Sequence, residues 1–397
     1  MSKSYGIKSI FSNELKLVVS DHSILLTVII APLLYAFFLG SIYLNKDIDQ
    51  IRFAVVDYDN SKTSRELTRM MSASQKIDMV GYLEDYDDGV QKLMNLDIQG
   101  FLIFTDGFEK ELMRGEGTNL NLYLNTTQFL PSNDLNMAVN EVMLTVGSGI
   151  RLEYYEIQGI ESHKAMQLIN PVIAEVKPIY NLTNSYGGFL LPGLFFLILQ
   201  QTLLIGLGES VARDNEKGIL KSLLQSSPNG IVNYIGGKTG YYSFLYLAYL
   251  ILFIAVVFPF FGLPIEGSII SIFIVSILFL TTIMLLTMLI GTFVKSQVRM
   301  MEILAFTSYP FFLLSGYSWP ISSMPLPLQW LAAAIPTTPM MEAMTRLFVM
   351  GGGWNDVIFQ VQHLFILLFV LVILLIWRLL YISRMGNKLN RNSLSNI

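Results

Sequence analysis

Six stretches of this chain, at about 24–44, 186–208, 239–262, 268–292, 301–318 and 359–380, are apolar for close to the ~20 residues a helix needs to cross hydrocarbon. A chain so built folds as helices in a bilayer, because only helices and closed barrels satisfy every backbone polar group there. Composition agrees, with 53% of residues hydrophobic and 14% charged against the ~25% charged of soluble domains. Pro32 and Pro310 fall inside the first and fifth stretches, where neighbouring helices re-satisfy the carbonyl that a proline frees. The first stretch has no small-residue cleavage site before the charged NKDID that follows, so it reads as a retained anchor.

Lysine and arginine in the short flanking segments set the orientation. Lys3, Lys8, Lys16, Arg213, Lys217, Lys221, Lys238, Lys295, Arg299, Arg378, Arg384, Lys388 and Arg391 fall on one side, and only Arg346 in the short loops of the other. Both termini are therefore expected in the cytoplasm, and six spans close that count. The long segment 45–185 is expected outside. A net charge of −4 without a basic stripe or aromatic platform excludes a nucleic-acid surface. With no cysteine there is no disulfide or thiolate metal site, and His22, His163 and His363 are too scattered to suggest a metal cluster.

The inserted segment changes pattern. IRFAVVD (51–57), IDMVGYL (77–83), GFLIFT (100–105) and NLNLYLN (119–125) are β-rich, with helical patterns at 86–97 and 107–114, which predicts a small α/β domain. Thr63 and Glu66 stand at capping-box spacing. In the last strand Leu120, Leu122 and Leu124 alternate with Asn121, Tyr123 and Asn125, predicting one buried and one wet face. Residues 132–177 read as helix leading back to the membrane. Asp57-Tyr58-Asp59 fails as a calcium loop, which needs glycine at Lys62 and glutamate at Thr68; Asp59-Asn60-Ser61 reads as turn and helix-entry chemistry.

GGKTG at 236–240 imitates a phosphate-binding loop. That loop needs a glycine five residues before its Gly-Lys-Thr, where this chain has Val232, and it should open a soluble helix rather than the apolar segment after Thr239. Lys238 is therefore expected to be a membrane-boundary charge that arginine can replace. No cofactor is expected in this chain. Nearby, Ile219, Leu220, Leu223 and Leu224 form an apolar face of the 209–228 segment, and Glu209, Arg213, Glu216, Lys217 and Lys221 a charged one. Such a helix suits a partner's groove or lipid headgroups. Ile7, Phe11, Leu15 and Val18 likewise line one side of an N-terminal surface helix.

Residues 319–358 are too polar and proline-rich to cross as one helix, yet too apolar for an ordinary loop. PLPLQWLAAAIP and MMEAMTRLFVM are expected as two short helices dipping into the outer leaflet, with Glu342 and Arg346 spaced to pair. Few charges sit within the spans, which argues against an ion-coupled mechanism. Gln200, Gln201, Thr202, Thr307 and Ser308 are the polar exceptions. Both a substrate path and interhelical hydrogen bonding fit them.

The layout and local wording resemble the membrane subunit of type-2 ATP-binding-cassette exporters, in the bacterial branch with a large extracytoplasmic domain after the first span. The resemblance covers nearly the whole chain: NELKLVVSDHSILLTVIIAPLLYAFFLG (13–40), VVDYDNSKTSREL (55–67), IQGFLIFTDGFEKELMRGE (98–116), ESVARDNEKGILKSLLQSSPNGIVNYIGGKTGYY (209–242) and LLSGYSWPISSMPLPLQWLAAAIPTTPMMEAMTRLFVMGG (313–352) are similar to successive parts of that family. Asn215 between the acids of the fourth segment is a departure.

The resemblance implies an α-helical polytopic membrane protein. It has an entry helix (1–23), a first span (24–44), an extracytoplasmic α/β domain (45–185), a five-helix region (186–380) with a coupling loop (209–238) and a re-entrant segment (319–358), and a tail (381–397). It implies ATPase coupling through Glu209, Arg213, Asp214, Glu216, Lys217, Gly218, Leu220, Leu223, Leu224 and Pro228. An outer gate would fall at Ser315, Gly316, Trp319, Pro320, Met324, Pro325, Glu342 and Arg346. ATP and Mg would sit on a cytoplasmic ATPase partner, with a second permease beside this one, either another copy of the chain or a sister subunit, room for a periplasmic adaptor, and lipid around both in the inner membrane. Two other classes compete. A membrane-embedded enzyme needs a nucleophile–base pair or metal cluster that the sequence does not offer. A receptor or scaffold needs fewer spans than this chain has.

Overall fold

The computed structural model describes residues 5–43, 50–114, 118–169, 179–181 and 185–394, with the side chains of 308 and 385–394 outside that description. It divides the chain into two compact units, residues 1–46 with 178–397, and residues 47–177.

The first unit opens with α1 (Ile7–Ser20). Asp21 ends it and caps the next helix, accepting hydrogen bonds from the backbone N–H groups of Ser23 and Ile24. In that helix, α2 (His22–Ile42), residues Leu26–Ile30 widen to a π-turn just before Pro32, which has no N–H to offer the preceding turn. On α1 the expected stripe divides in two. Ile10, Glu14 and Val18 are buried, while Ile7, Leu15 and Val19 are exposed. Val18 therefore lies on the inner face, because Glu14 one turn away is held there by partners described below.

The second unit is a four-stranded sheet in the order β2-β1-β3-β4, built from β1 (Ile51–Asp57), β2 (Ile77–Leu83), β3 (Gly100–Phe104) and β4 (Asn121–Leu124). β1 runs parallel to both neighbours and β4 closes antiparallel on β3. Its helices are α3 (Lys62–Ser72), α4 (Tyr86–Met94), α5 (Phe108–Met113), α6 (Phe129–Ile157) and α7 (Ser162–Ile169); the expected helix beyond 169 lies outside the described residues. Both sheet faces are covered. Phe53, Val55, Leu102 and Phe104 pack with residues of α3 and α6, whereas Ala54, Val56, Phe101 and Ile103 pack with Val90 and Leu93 of α4. The wet face expected for β4 holds at Asn121, which is exposed, but not at Tyr123, which stacks on Phe101 with ring centroids 4.9 Å apart. The unbroken apolar runs of β1 and β3 are the signal of that two-sided burial.

Helix α3 is capped by Ser61 in a reciprocal pair with Ser64, not by Thr63 and Glu66. Thr63 instead donates its N–H and hydroxyl to Glu109, at 3.0 and 2.6 Å, and Glu66 pairs with Arg69. Asp57 accepts from the Asn60 N–H (2.9 Å) and the Ser64 hydroxyl (2.7 Å), so these residues form a turn and a helix entry.

The first unit resumes with α8 (Tyr186–Glu216), α9 (Leu220–Gln225), α10 (Gly230–Phe260), α11 (Ile269–Gly291), α12 (Gln297–Leu314), α13 (Leu326–Ala333), α14 (Thr337–Met344) and α15 (Ile358–Leu394). Among the described residues, five helices are long and apolar enough to cross a membrane: α2, α8, α10, α11 and the run Trp354–Arg384 that contains most of α15. Helix α12, with 18 residues that include Arg299, Glu302 and Pro310, is not one of them. The coupling loop expected over 209–238 is much shorter. Residues 209–216 continue α8 and 230–238 begin α10, leaving a brief connection around α9. Polar side chains extend these helices because each finds a partner within the bundle.

Candidate functional site

The last two turns of α8 gather a dense set of buried polar contacts. Ser210, fully buried, donates to Glu14 of α1 at 2.6 Å and accepts from Lys238 of α10 at 2.6 Å. Lys238 is itself 1% exposed and reaches Glu14 at 2.6 Å and Asp214 at 2.8 Å. Asp214 also accepts from the Tyr234 hydroxyl at 3.0 Å. One cation thus serves two carboxylates, with hydroxyls filling remaining positions. Such satisfaction is what burial of charge demands.

A second cluster adjoins the first. Glu209, 1% exposed, accepts from Ser23 of α2 (3.3 Å) and from the Gln297 amide of α12 (3.0 Å). Gln297 also donates to Asp21 (3.2 Å), which pairs with Arg213 at 3.1 Å. Glu216 accepts the backbone N–H of Gln297 at the start of α12. Asn215 donates to the carbonyl of Val294 at 2.8 Å, and Arg378 of α15 donates to the neighbouring Thr292 carbonyl at 3.2 Å. Polar atoms at one end of α8 therefore tie α1, α2, α10 and α12 into one block, and Arg378 adds α15.

The contacts continue between α8 and α10. Tyr234, Lys238, Tyr242 and Tyr246 donate in turn to Asp214, Ser210, the Gly206 carbonyl and Thr202. Each four-residue step along α10 meets a four-residue step back along α8, the register of two antiparallel helices. Glycine is required where they meet α1: a Cβ on Gly237 would lie 2.6 Å from the Ile10 Cβ, whereas one on Gly236 would find nothing nearer than 3.6 Å. GGKTG is thus a helical segment shaped for helix packing, and its lysine is a buried hub. The boundary-anchor expectation for Lys238 is corrected, because three oxygens from α1 and α8 draw it inward. Gly237→Ala should lower the midpoint of thermal unfolding by several degrees while Gly236→Ala leaves it within about a degree, by fluorescence-monitored melting of the purified protein.

Residues 22–379 match the model of one protein family, described as ABC-2 family transporter protein. The chain belongs to that family. A search of curated proteins gave no match.

In this ABC-2 transporter protein the expected coupling residues divide by environment. Glu209, Arg213, Asp214 and Glu216 belong to the junction, while Lys217 and Gly218 form an exposed turn in which Gly218 takes φ +67°. Leu220, Leu223 and Leu224 are buried within this chain, on a helix that packs with α8, α10 and α15. Their apolar face is already occupied, so it is not available to fill a partner's groove; the free surface here is Lys217, Ile219, Ser222 and Pro228.

The expected path residues make bonds between and within helices. Gln200 accepts from Thr337 of α14 (2.7 Å), Gln201 donates to the Leu304 carbonyl of α12 (2.8 Å), and Thr202 accepts from Tyr246. Gln200 Nε2 and Gln201 Oε1 are buried without a partner among the described residues. Thr307 donates within its own helix, and the Ser308 side chain lies outside the described residues. At the other end of the unit Glu342 and Arg346 pair at 2.7 Å, and Arg346 also donates to the Asp356 carbonyl. Ser315 donates to the Phe312 carbonyl and Gly316 turns with φ +82°. Trp319 and Pro320 are exposed, and Met324 and Pro325 lead into α13.

Sequence reading missed Glu14, Asp21, Ser210, Gln297 and the tyrosines of α10. Only Glu14 left a signal: it interrupts the stripe Ile10–Val18 at helical spacing, and a carboxylate on a buried face needs a cation.

Proposed function

We propose that the chain is the permease subunit of an ATP-binding-cassette exporter of the bacterial inner membrane, moving an amphipathic or hydrophobic substrate outward. ATP, with Mg, is hydrolysed by a separate cytoplasmic ATPase. The observation that carries the reading is the junction at the end of α8, where charged and polar side chains from α1, α2, α8, α10 and α12 bond to one another at one end of an otherwise apolar helical unit. A chain that holds no nucleotide must receive work at a rigid place, and this block moves as one body because each buried charge costs several kcal/mol to unpair. The exposed turn at Lys217–Ile219 is its natural contact with the ATPase.

In this reading α12 is the fifth of six spans, the unit 47–177 lies outside, both termini are cytoplasmic, and 319–358 forms the outer gate. Two copies line the path, with the unpaired polar atoms of Gln200 and Gln201 near it. Co-expression with the ATPase is the test. The pair should co-purify and hydrolyse ATP, and the isolated chain should bind no nucleotide. Specific ATP binding by the isolated chain overturns the reading. Topology is checked separately, since the chain has no cysteine. In intact cells Ser226→Cys should resist a membrane-impermeant thiol reagent and Asn119→Cys should react; the opposite pattern reverses the orientation.

A further inference from the structure

A cavity of about 350 Å³ opens between α1 and the elbow that joins α8 to α9. Its polar wall carries Lys16, Arg213 and Lys217, and its apolar wall Leu17, Ile219 and Leu223. The carboxylates that also face it are already engaged: Glu14 and Asp214 with Lys238, at 2.6 and 2.8 Å, and nearby Asp21 with Arg213 at 3.1 Å. Lys16 and Lys217 make no ion pair among the described residues, and both are exposed. The cavity therefore presents uncompensated positive charge beside an apolar surface. Arg213 gives one arm to Asp21 and keeps further N–H donors.

The outer side of α1 fixes the depth. Ile7, Leu15 and Val19 are 46, 49 and 67% exposed along one line of the helix, the pattern of a helix lying with an apolar edge in the acyl boundary. Lys16 is exposed next to that edge, so a helix lying in this way would hold its ammonium among the headgroups. Phosphate on a diacyl lipid meets both requirements of the cavity, anion and adjoining hydrocarbon, and clefts with basic side chains at the cytoplasmic ends of spans favour such lipids.

We infer that this cavity is a binding site for the phosphate headgroup of an anionic phospholipid, held by Lys16, Lys217 and the free N–H groups of Arg213, with its glycerol region against Leu17 and Ile219. The assignment to the inner leaflet rests on the orientation proposed above. A lipid seated there bridges α1 to the exposed turn and braces the contact offered to the ATPase.

The full chain, reconstituted in nanodiscs of phosphatidylcholine with and without phosphatidylglycerol, should show selective retention of phosphatidylglycerol by native mass spectrometry. Lys16→Gln with Lys217→Gln should cut that selectivity about 10- to 30-fold. The paired exchange Lys16→Arg with Lys217→Arg should keep it, as should Lys8→Gln with Lys295→Gln, which removes two exposed lysines outside the cavity. Inorganic phosphate at about ten times the lipid concentration should not displace the lipid, because the apolar wall adds contacts that a free ion cannot make. The inference is overturned by undiminished selectivity in the glutamine pair, by equal loss in the Lys8/Lys295 pair, or by phosphate competing as well as lipid. Nanodiscs present anionic lipid in both leaflets, so this outcome is independent of orientation, which the cysteine labelling reads on its own.

Discussion

Lys238→Met should prevent the helical unit from accumulating in a stable folded form. The substitution leaves Glu14 and Asp214, which both pair with Lys238, without their shared cation. Removing one partner of a buried pair costs about 3–5 kcal/mol, a large part of a net stability of about 5–15 kcal/mol. Lys238→Arg should also lose much of the detergent-stable yield. The ammonium has contacts of 2.6, 2.6 and 2.8 Å to three oxygens in a fully buried place, and the larger planar guanidinium cannot occupy it without moving α1 or α8. The triple variant Glu14→Gln, Asp214→Asn, Lys238→Met removes all three charges together and should recover a large share of the lost melting temperature. Wild-type melting of Lys238→Arg would show that the lysine is not held as a hub.

Gly230→Ala should detach α9 from its position. A Cβ there would stand 2.1 Å from the carbonyl oxygen of Leu224 and 3.1 Å from that of Leu223. Both obstacles are backbone atoms, so no rotamer change relieves them, and the end of α9 must move away from the start of α10. Leu223 and Leu224 then lose their buried seats, at about 2 kcal/mol for each side chain returned to water. The expected result is a sharp fall in co-purified ATPase and a lower unfolding midpoint. Undiminished ATPase recovery at wild-type stability would place the contact elsewhere than this elbow.

The sequence alone settled that this is a helical membrane chain with an inserted α/β unit. Both conclusions rest on local signals: runs of apolar residues long enough to span, and β-rich segments alternating with helical ones. It also marked the Glu342–Arg346 pair, because i,i+4 spacing is fixed by the helix itself. Its errors share one cause. Lys238 read as a boundary charge, residues 209–238 as a loop, and Leu220, Leu223 and Leu224 as a free face, because a polar residue in a flanking segment looks solvated until its partners are known. Those partners lie far off in sequence: Glu14 is 224 residues from Lys238, and Ser23 is 186 from Glu209. Only the folded bundle brings them together. Once it does, the low dielectric that would make each charge costly alone makes the set specific, and one end of α8 becomes the joint of the structure rather than its margin.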